Sequence, residues 1–298
     1  MSVAAGAAPR MLASPAAART LLDSAGIRPS RSMGQNFLVD ANILRIITEA
    51  AELQPYDTVI EVGPGLGALT QALVEEGGKV YALESDRRLM RILEHELGYA
   101  TNLQLVEADA ARFDFATLWE AEPPAGVKMV SNLPYQIAAT LVVDCLQRCP
   151  WLETYTVMVQ REVADRLACG PGSRDYSGAS VKVQARSEIR RVASVSRNCF
   201  YPRPGVDSTI LHIARRDPEG LSGVVRSGYF DRVVTGAFGQ RRKKLANSLS
   251  AAIELSLEAG GVRSALEGLG KDPGVRAEDL SPGEFVSLAE SLAGTKDD

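Results

Sequence analysis

The chain has 298 residues, enough for one large domain and a small one, and 45% of them are hydrophobic. No apolar run approaches the roughly 20 residues of a membrane-spanning helix, so no membrane partner is expected. The formal net charge of −4 and the pI of ≈ 5.5 exclude a globally basic nucleic-acid-binding protein and leave only local basic patches for such contacts.

The cysteines and histidines give no sign of a disulfide framework or a metal site. Four cysteines without a framework pattern indicate a reducing, cytosolic environment. Cys145 and Cys149 lie one helical turn apart, whereas His95 and His212 are far away in sequence, so we expect no metal. The Ala-rich start, residues 1–13, lacks the apolar core of a secretory signal and is predicted to be a disordered leader.

The first predicted elements are two helices joined by an extended basic segment. Ser14 and Pro15 have the pattern of an N-cap followed by proline at the first helical position, and Gly26 ends that helix. A second helix begins at Ala41. Strands and helices then alternate, which predicts an α/β fold with mostly parallel strands. The strand candidates are TVIEV (58–62), KVYALE (79–84), LQLVEA (103–108), VKMVS (127–131) and TYTVMV (154–159), with helical patterns such as ALTQALVEE (68–76) and RRLMRILEHEL (87–97) between them.

The pattern changes towards the end of the chain. Two strand candidates, IRRVASVS (189–196) and STILHIAR (208–215), flank a Pro-rich loop and predict an antiparallel closing pair. From residue 218 the chain consists of short amphipathic helical patterns, of which RRKKLANSLSAAIEL (241–255) is the longest. We therefore predict an α/β domain over residues 14–217 and a small all-helical domain over residues 218–298.

Three consecutive strand ends carry residues suited to an adenosine-containing cofactor. Gly63 and Gly65 lie in a turn between a strand and a helix, where a ligand can approach the backbone. Glu84 ends the next strand, 84 − 63 = 21 residues later, where a carboxylate can accept the ribose hydroxyls. Asp109 closes the third strand and can accept from the adenine amine. This pattern suits the adenosine half of either NAD or S-adenosylmethionine.

The fourth strand end distinguishes these two cofactors. A dehydrogenase needs a proton donor or acceptor there, and Asn132-Leu133-Pro134-Tyr135 offers no strong base. An amino-group methyltransferase instead needs acceptors for the two N–H bonds of its target, which the Asn132 side chain and the Leu133 carbonyl can provide. Pro134 has no competing N–H and stiffens the turn, and Tyr135 can stack on a base. The turn therefore favours methyl transfer to an exocyclic amine.

These motifs together resemble the ribosomal RNA adenine dimethyltransferases of the KsgA type, from about residue 16 to 290. The similar segments are QNFL (35–38), EVGPGLGALT, ALESDRRL, EADA, NLPY, FYPRPGVDS and QRRKKLANSL. The resemblance implies a Rossmann-like class I methyltransferase sheet, mostly parallel with an antiparallel last strand, and a small helical C-terminal domain. It also implies dimethylation, with S-adenosylmethionine, of N6 of two adjacent adenosines near the 3′ end of 16S rRNA, in the small ribosomal subunit or its precursor, by a monomer.

Carried over position by position, the resemblance implies a cofactor site and a target-base site. The cofactor residues would be Gln35, Asn36, Leu38, Gly63, Gly65, Glu84, Ser85, Asp109, Ala110 and Asn132. Phe200 would stack on the flipped base opposite Tyr135, and Asn132 would lie between methyl donor and target. Two positions depart from the family pattern: Gln136 stands where Asn is common, and Ser85 replaces a residue that is usually apolar.

Two basic patches are candidates for rRNA contacts, because phosphates dominate nucleic-acid affinity. Their residues are Arg186, Arg190, Arg191, Arg241, Arg242, Lys243 and Lys244. Three other functions remain open on the sequence alone. They are an erythromycin-resistance (Erm) type methyltransferase of large-subunit rRNA, a NAD-dependent oxidoreductase, and a non-catalytic ribosome-assembly factor on a methyltransferase scaffold.

Overall fold

The structure is a computed structural model that describes residues 11–30, 34–217, 219–240 and 242–294. Most of the predicted leader, residues 1–10, lies outside the described residues, as does Arg241. Leu12, which the sequence assigned to the leader, is part of the fold. It is 2% exposed, and its N–H donates to Oε1 of Gln71 at 3.2 Å. Burial of this one apolar side chain fixes the chain ahead of the first helix.

A seven-stranded sheet forms the centre of the described structure. Its strand order is β4-β3-β2-β5-β6-β9-β7, and β1 and β8 form a separate antiparallel pair. Strands β2 to β6 are joined by parallel pairings, so the sheet is mostly parallel, and the predicted closing strands β9 and β7 are neighbours at its edge. The strands are β1 Phe37–Leu38, β2 Thr58–Val62, β3 Lys79–Glu84, β4 Leu103–Glu107, β5 Val127–Asn132, β6 Leu152–Gln160, β7 Ser187–Val195, β8 Phe200–Tyr201 and β9 Ser208–Arg215.

The register of the parallel strands brings their carboxyl ends to one edge of the sheet. Val62 pairs with Leu83, and Glu84 pairs with Glu107 on the next strand. Asn132, the last residue of β5, pairs with Met158. The three predicted cofactor positions and the predicted target-base turn therefore meet at the edge where open α/β sheets bind ligands.

Local capping explains where the flanking helices begin. The Ser14 side chain accepts the N–H of Ala17, and Pro15 is the first helical residue, as predicted. Asp40 and Asp86 cap α2 and α4 in the same way through their carboxylates. The helices are α1 Pro15–Ser24, α2 Ala41–Ala51, α3 Ala68–Glu76, α4 Arg87–Leu97, α5 Ala138–Arg148, α6 Arg161–Ala168, α7 Gly178–Arg186, α8 Gly223–Arg226, α9 Tyr229–Phe238, α10 Leu245–Ser250, α11 Ala259–Gly268 and α12 Pro282–Gly294.

The contacts divide the chain into two compact units. The first comprises the described residues of Met1–Ala138, with Trp151–Arg161 and Arg191–His212, and its core contains apolar side chains of α1 to α4 and of the sheet. The second comprises the described residues of Ala139–Pro150, Glu162–Arg190 and Ile213–Asp298, with its own core built largely from α7 and α9 to α12.

The second unit contains more of the chain than the predicted helical domain, which began at residue 218. Asp231 on α9 accepts hydrogen bonds from Gln147 on α5 and Arg186 on α7, both of which precede that boundary. The Arg215 guanidinium also donates to the carbonyls of Cys145, Leu146 and Cys149 at the end of α5. Such contacts join distant segments and leave no periodic signal in the sequence, so the sequence pattern did not indicate them. The domain boundary after Asp217 stays a prediction.

Among the described residues, no helix is both long and apolar enough to cross a membrane.

Candidate active site

A cavity of ≈ 320 Å³ lies in the first unit at the carboxyl ends of β2, β3 and β5. This volume falls in the range of small-molecule sites, roughly 300–1,000 Å³. Every cofactor residue predicted from the sequence lines it, together with the predicted turn. Those residues are Gln35, Asn36, Leu38, Gly63, Gly65, Glu84, Ser85, Asp109, Ala110, Asn132, Leu133, Pro134 and Tyr135.

The glycine turn has a conformation and a packing that other residues cannot easily adopt. Gly63 and Gly65 have φ values of +70° and +61°, which favour glycine. A Cβ on Gly65 would lie 2.9 Å from Cδ1 of Phe37, and one on Gly63 would lie 3.1 Å from Cγ of Pro134. The two glycines thus let the N-terminal segment and the Asn-Leu-Pro-Tyr turn pack directly against the cavity floor.

Glu84 is held in place by backbone N–H groups. Its Oε1 accepts from Ser85 and Asp86 at 2.9 Å, and its Oε2 accepts from Gly65 at 3.2 Å. Burial raises the pKa of this carboxyl, and the three backbone N–H donors act in the opposite direction. The carboxylate therefore links the glycine turn to the end of β3 in one fixed orientation.

Asp109 occupies the rim of the cavity. Its side chain is 59% exposed, and its Oδ1 accepts the N–H of Ala111 at 3.0 Å. The nearest charged partner is the exposed Arg112, whose Nε lies 4.0 Å from Oδ2. Asp109 is thus positioned by its own turn and keeps acceptor capacity for a ligand.

Glu61 lines the same cavity and was not predicted from the sequence. It is 1% exposed, and no described group bonds to its Oε2. Burial, together with the nearby charge of Glu84, raises the pKa of Glu61 to about 8. The sequence did contain a signal for Glu61. It is a carboxylate inside the buried strand TVIEV, and it lies two residues before Gly63 and hence on the same face.

Asn132 lines the cavity at the end of β5. Its Nδ2 lies 3.5 Å from the carbonyl oxygen of Asn36, and its Oδ1 is buried without a hydrogen-bond partner among the described residues. A buried acceptor without a donor is unusual, because desolvating it costs about 1–3 kcal/mol. Asn132 therefore keeps one acceptor that the described residues of the folded chain do not satisfy.

Tyr135 continues the same wall of the cavity. Its hydroxyl hydrogen-bonds Oγ of Ser208 at 2.8 Å, and burial raises its pKa. The ring is half-buried and lines the cavity. The bond to Ser208, which does not line the cavity, therefore restrains the ring orientation, as a stacking platform requires.

Phe200 does not reach the cavity, so the predicted pair of aromatic faces is not present in this structure. Phe200 is 4% exposed and lies in the core of the first unit, where it pairs with Leu38 across β1 and β8. An aromatic side chain that alternates into an apolar interface is buried by packing rather than left free to stack. Phe200 supports the cavity through Leu38.

The predicted RNA contacts divide into buried and exposed residues. Arg186 is buried: its side chain is 4% exposed, and its guanidinium donates to Asp231 at 2.5 Å and stacks on Phe230 at 5.5 Å. The prediction of a phosphate contact for Arg186 was therefore wrong. Arg186 is the last residue of α7, and its side chain is buried in the second unit. The remaining described members are exposed, namely Arg190, Arg191, Arg242, Lys243 and Lys244.

The family model described as ribosomal RNA adenine dimethylase matches residues 28–293 of this chain. The chain belongs to this family. A relative from Moorella thermoacetica, ribosomal RNA small subunit methyltransferase A, is 42% identical over 288 residues, which cover 94% of this chain and 98% of the relative. The protein of the same name from Streptomyces coelicolor is 41% identical, covering 95% of this chain and 97% of its own length.

Two solved structures share the fold of this chain. A dimethyladenosine transferase from Plasmodium falciparum superposes with a TM-score of 0.70 at 23% identity, covering 86% of this chain and 97% of its own. The 23S rRNA methyltransferase ErmE has a TM-score of 0.63 at 30% identity, covering 87% and 100%. These similarities confirm the predicted class I methyltransferase sheet with a helical C-terminal region.

Proposed function

We propose that the protein dimethylates N6 of two adjacent adenosines near the 3′ end of 16S rRNA, using S-adenosylmethionine. It would act as a monomer in the cytoplasm, on the small ribosomal subunit or its precursor. The observation that carries this proposal is the buried, unpartnered Oδ1 of Asn132 in the cavity wall, beside the glycine turn. The small-subunit specificity rests on the two relatives named above. Both are small-subunit methyltransferases, and this chain matches nearly their whole length.

The charges of the cavity fit S-adenosylmethionine better than a dinucleotide. Three carboxyl groups, Glu61, Glu84 and Asp109, line it, and Glu61 mainly holds its proton at neutral pH because its pKa is about 8. A pyrophosphate would bring further negative charge to this site, whereas S-adenosylmethionine carries a sulfonium and an ammonium group. Glu84 and Asp109 would accept from the ribose hydroxyls and the adenine amine. When bound, the cofactor supplies an electrophilic methyl group.

The chain's own contribution to the reaction is positioning of the target amine. The lone pair of an adenine N6 is delocalised into the ring, so the amine is a weak nucleophile. The Asn132 Oδ1 and the Leu133 carbonyl would accept its two N–H bonds and favour a pyramidal nitrogen that is directed at the methyl donor. The amine would become acidic as the new C–N bond forms and the donor's C–S bond breaks, so its proton can pass to solvent water and no dedicated base is required. Tyr135 would stack on the flipped base and exclude water.

Mass spectrometry of rRNA tests this function directly. Small subunits lacking the modification are incubated with the protein and S-adenosylmethionine, and the 16S rRNA is digested and analysed. Two adjacent N6,N6-dimethyladenosines near the 3′ end are expected. Methylation confined to large-subunit rRNA would favour the Erm-type alternative, and binding of NAD without S-adenosylmethionine would favour an oxidoreductase. Subunit binding without any methylation would favour an assembly factor.

A further inference from the structure

The Pro-rich loop between β8 and β9 is fixed at both ends to residues that line the cavity. At its start, Phe200 and Tyr201 pair with Leu38 and Phe37, and both partners are lining residues. At its end, Ser208 bonds the hydroxyl of Tyr135. Residues 202–207 therefore span a short distance along the edge of the cavity, next to the proposed target-base platform.

Three exposed arginines, Arg19, Arg197 and Arg203, lie on or against this loop, and we call them the arginine rim. The guanidinium of Arg197 donates to the carbonyl of Gly205 at 3.3 Å, and that of Arg203 donates to Oδ1 of Asn198 at 3.2 Å. The two side chains thus reach across the loop in opposite directions. Arg19, from α1, stacks over the ring of Tyr201 at 5.2 Å.

The rim is positively charged without local compensation. No member of the rim forms an ion pair with a carboxylate among the residues that the structure describes. Asp207, the one acidic residue in 196–207, is half-buried, and its Oδ1 accepts the backbone N–H of Arg197. It therefore stabilises the loop backbone and does not pair with the guanidinium groups.

Held guanidinium groups at the edge of a base-sized cavity suit the phosphates of a nucleic-acid strand. Each rim arginine uses only part of its five N–H donors, so bidentate phosphate contacts remain available. Its side chain is already ordered by the loop or by the Tyr201 ring, which lowers the entropy lost on binding. A base that enters the cavity must leave its stack, so the strand that carries it has to approach the edge of the cavity.

We propose that the arginine rim binds the phosphates of the single-stranded nucleotides that flank the target adenosine. This inference rests on the proposed function, because it takes the strand that enters the cavity to be rRNA. The rim was not among the residues predicted from the basic patches. It consists of single arginines from α1 and the Pro-rich loop, which only the folded chain brings together.

The test compares two charge-matched double variants. Arg197→Ala/Arg203→Ala removes two rim cations. Arg45→Ala/Arg87→Ala removes two exposed arginines of the same unit that pair with Glu49 and Glu107 and do not line the cavity. Affinity for unmethylated small subunits is measured from low to high salt. Affinity for S-adenosylmethionine is measured by calorimetry, and methylation at saturating subunit concentration is followed as above.

Counterion release sets the expected size of the effect. Each single-strand phosphate contact contributes about 0.7 to the magnitude of the slope of log affinity against log salt. The slope of the rim variant is therefore expected to be smaller in magnitude by about 1.4. The Arg45/Arg87 variant is expected to keep the wild-type slope, and both should keep their S-adenosylmethionine affinity. Equal slopes in the two variants would overturn the proposal, as would a joint loss of cofactor affinity in the rim variant. Failure of the proposed function would be separate: the wild-type protein would then not methylate 16S rRNA.

Discussion

At the residue scale, the most informative feature is an acceptor without a donor. Asn132 Oδ1 is buried in the cavity wall, whereas most buried polar atoms of a folded protein are paired. The folded chain by itself gains nothing from this arrangement, so the missing hydrogen bond is expected to be made by the substrate amine.

Removing this acceptor should affect the chemical step more than cofactor binding. Asn132→Ala is expected to lower kcat for methyl transfer by roughly 10²–10³-fold, as when one positioned hydrogen-bonding group of a transition state is deleted. The dissociation constant for S-adenosylmethionine should change by only a few-fold. Single-turnover methylation and calorimetry provide the two measurements. Asn132→Asp, which keeps an acceptor oxygen of the same shape, serves as the control and should lose less. Wild-type turnover in the alanine variant would disprove the role.

Glu61 makes the stability of the protein depend on pH. Its native pKa of about 8 lies above the ordinary 4.5, so the folded state holds a proton that the unfolded state releases. The stabilising contribution is fully present below pH 4.5 and is lost as the pH rises to about 8, a total of roughly 5 kcal/mol. Glu61→Gln removes this titration.

The variant Glu61→Gln is therefore expected to gain stability relative to the wild type as the pH rises from 5 to 8. Urea unfolding of both proteins at several pH values measures the difference. Glu84, whose pKa is raised in the same direction, remains in both proteins. Because its charge contributes to the shift of Glu61, the difference between the two proteins measures the titration of Glu61 together with its coupling to Glu84. Parallel curves for the two proteins would mean that Glu61 is ionised in the folded state.

At the scale of elements, the Gln35 side chain links the N-terminal segment to the turn that follows β3. The Gln35 Nε2 donates to Oδ2 of Asp86 at 3.0 Å, and its Oε1 accepts the N–H of Ser30 at 2.8 Å. Asp86 also caps α4, and its hydrogen bonds with Arg88 lower its pKa to about 2. Gln35 thus joins the segment that forms one wall of the cavity to the turn after β3.

Breaking this link should weaken cofactor binding while leaving the chemistry intact. Gln35→Glu places two carboxylates together and is expected to raise KM for S-adenosylmethionine about tenfold, with kcat nearly unchanged. In the double variant Gln35→Glu/Asp86→Asn, the asparagine can donate to the new carboxylate and still cap α4, so KM should recover. Steady-state kinetics of the single and double variants measure the coupling. A double variant no better than Gln35→Glu would rule out the link.

Periodicity and capping predicted most elements well, and the reason is local. Strands β2, β3 and β9 and helices α3 and α4 occupy the predicted residues, since the pattern that predicts each element lies within a few consecutive positions. The single helix predicted over 241–255 is wrong. The observed helix α10 has Lys244 as its N-cap and ends at Ser250, and Ser256 has φ +50°. Tertiary packing therefore overrides the helical composition of this segment.

At the scale of the whole molecule, the sequence predicted the cavity better than the surface. The cofactor residues follow strand ends, and a parallel sheet brings such ends together whatever the details of packing. Phe200, Arg186 and the arginine rim depend on which face of an element is covered by a distant segment. That information is not periodic, so one aromatic and one arginine were assigned to ligands although packing buries them.

The second unit offers a test of whether Arg186 is structural. Asp231→Ala leaves the buried guanidinium without its partner and is expected to cost about 3–5 kcal/mol of unfolding free energy. Glu162→Ala breaks the exposed pair with Arg166 in the same unit and should cost less than about 1 kcal/mol. Urea unfolding monitored by circular dichroism compares the two. If both variants lose equally little, water reaches the Arg186 pair in solution, and its exclusion from the RNA contacts would have to be withdrawn.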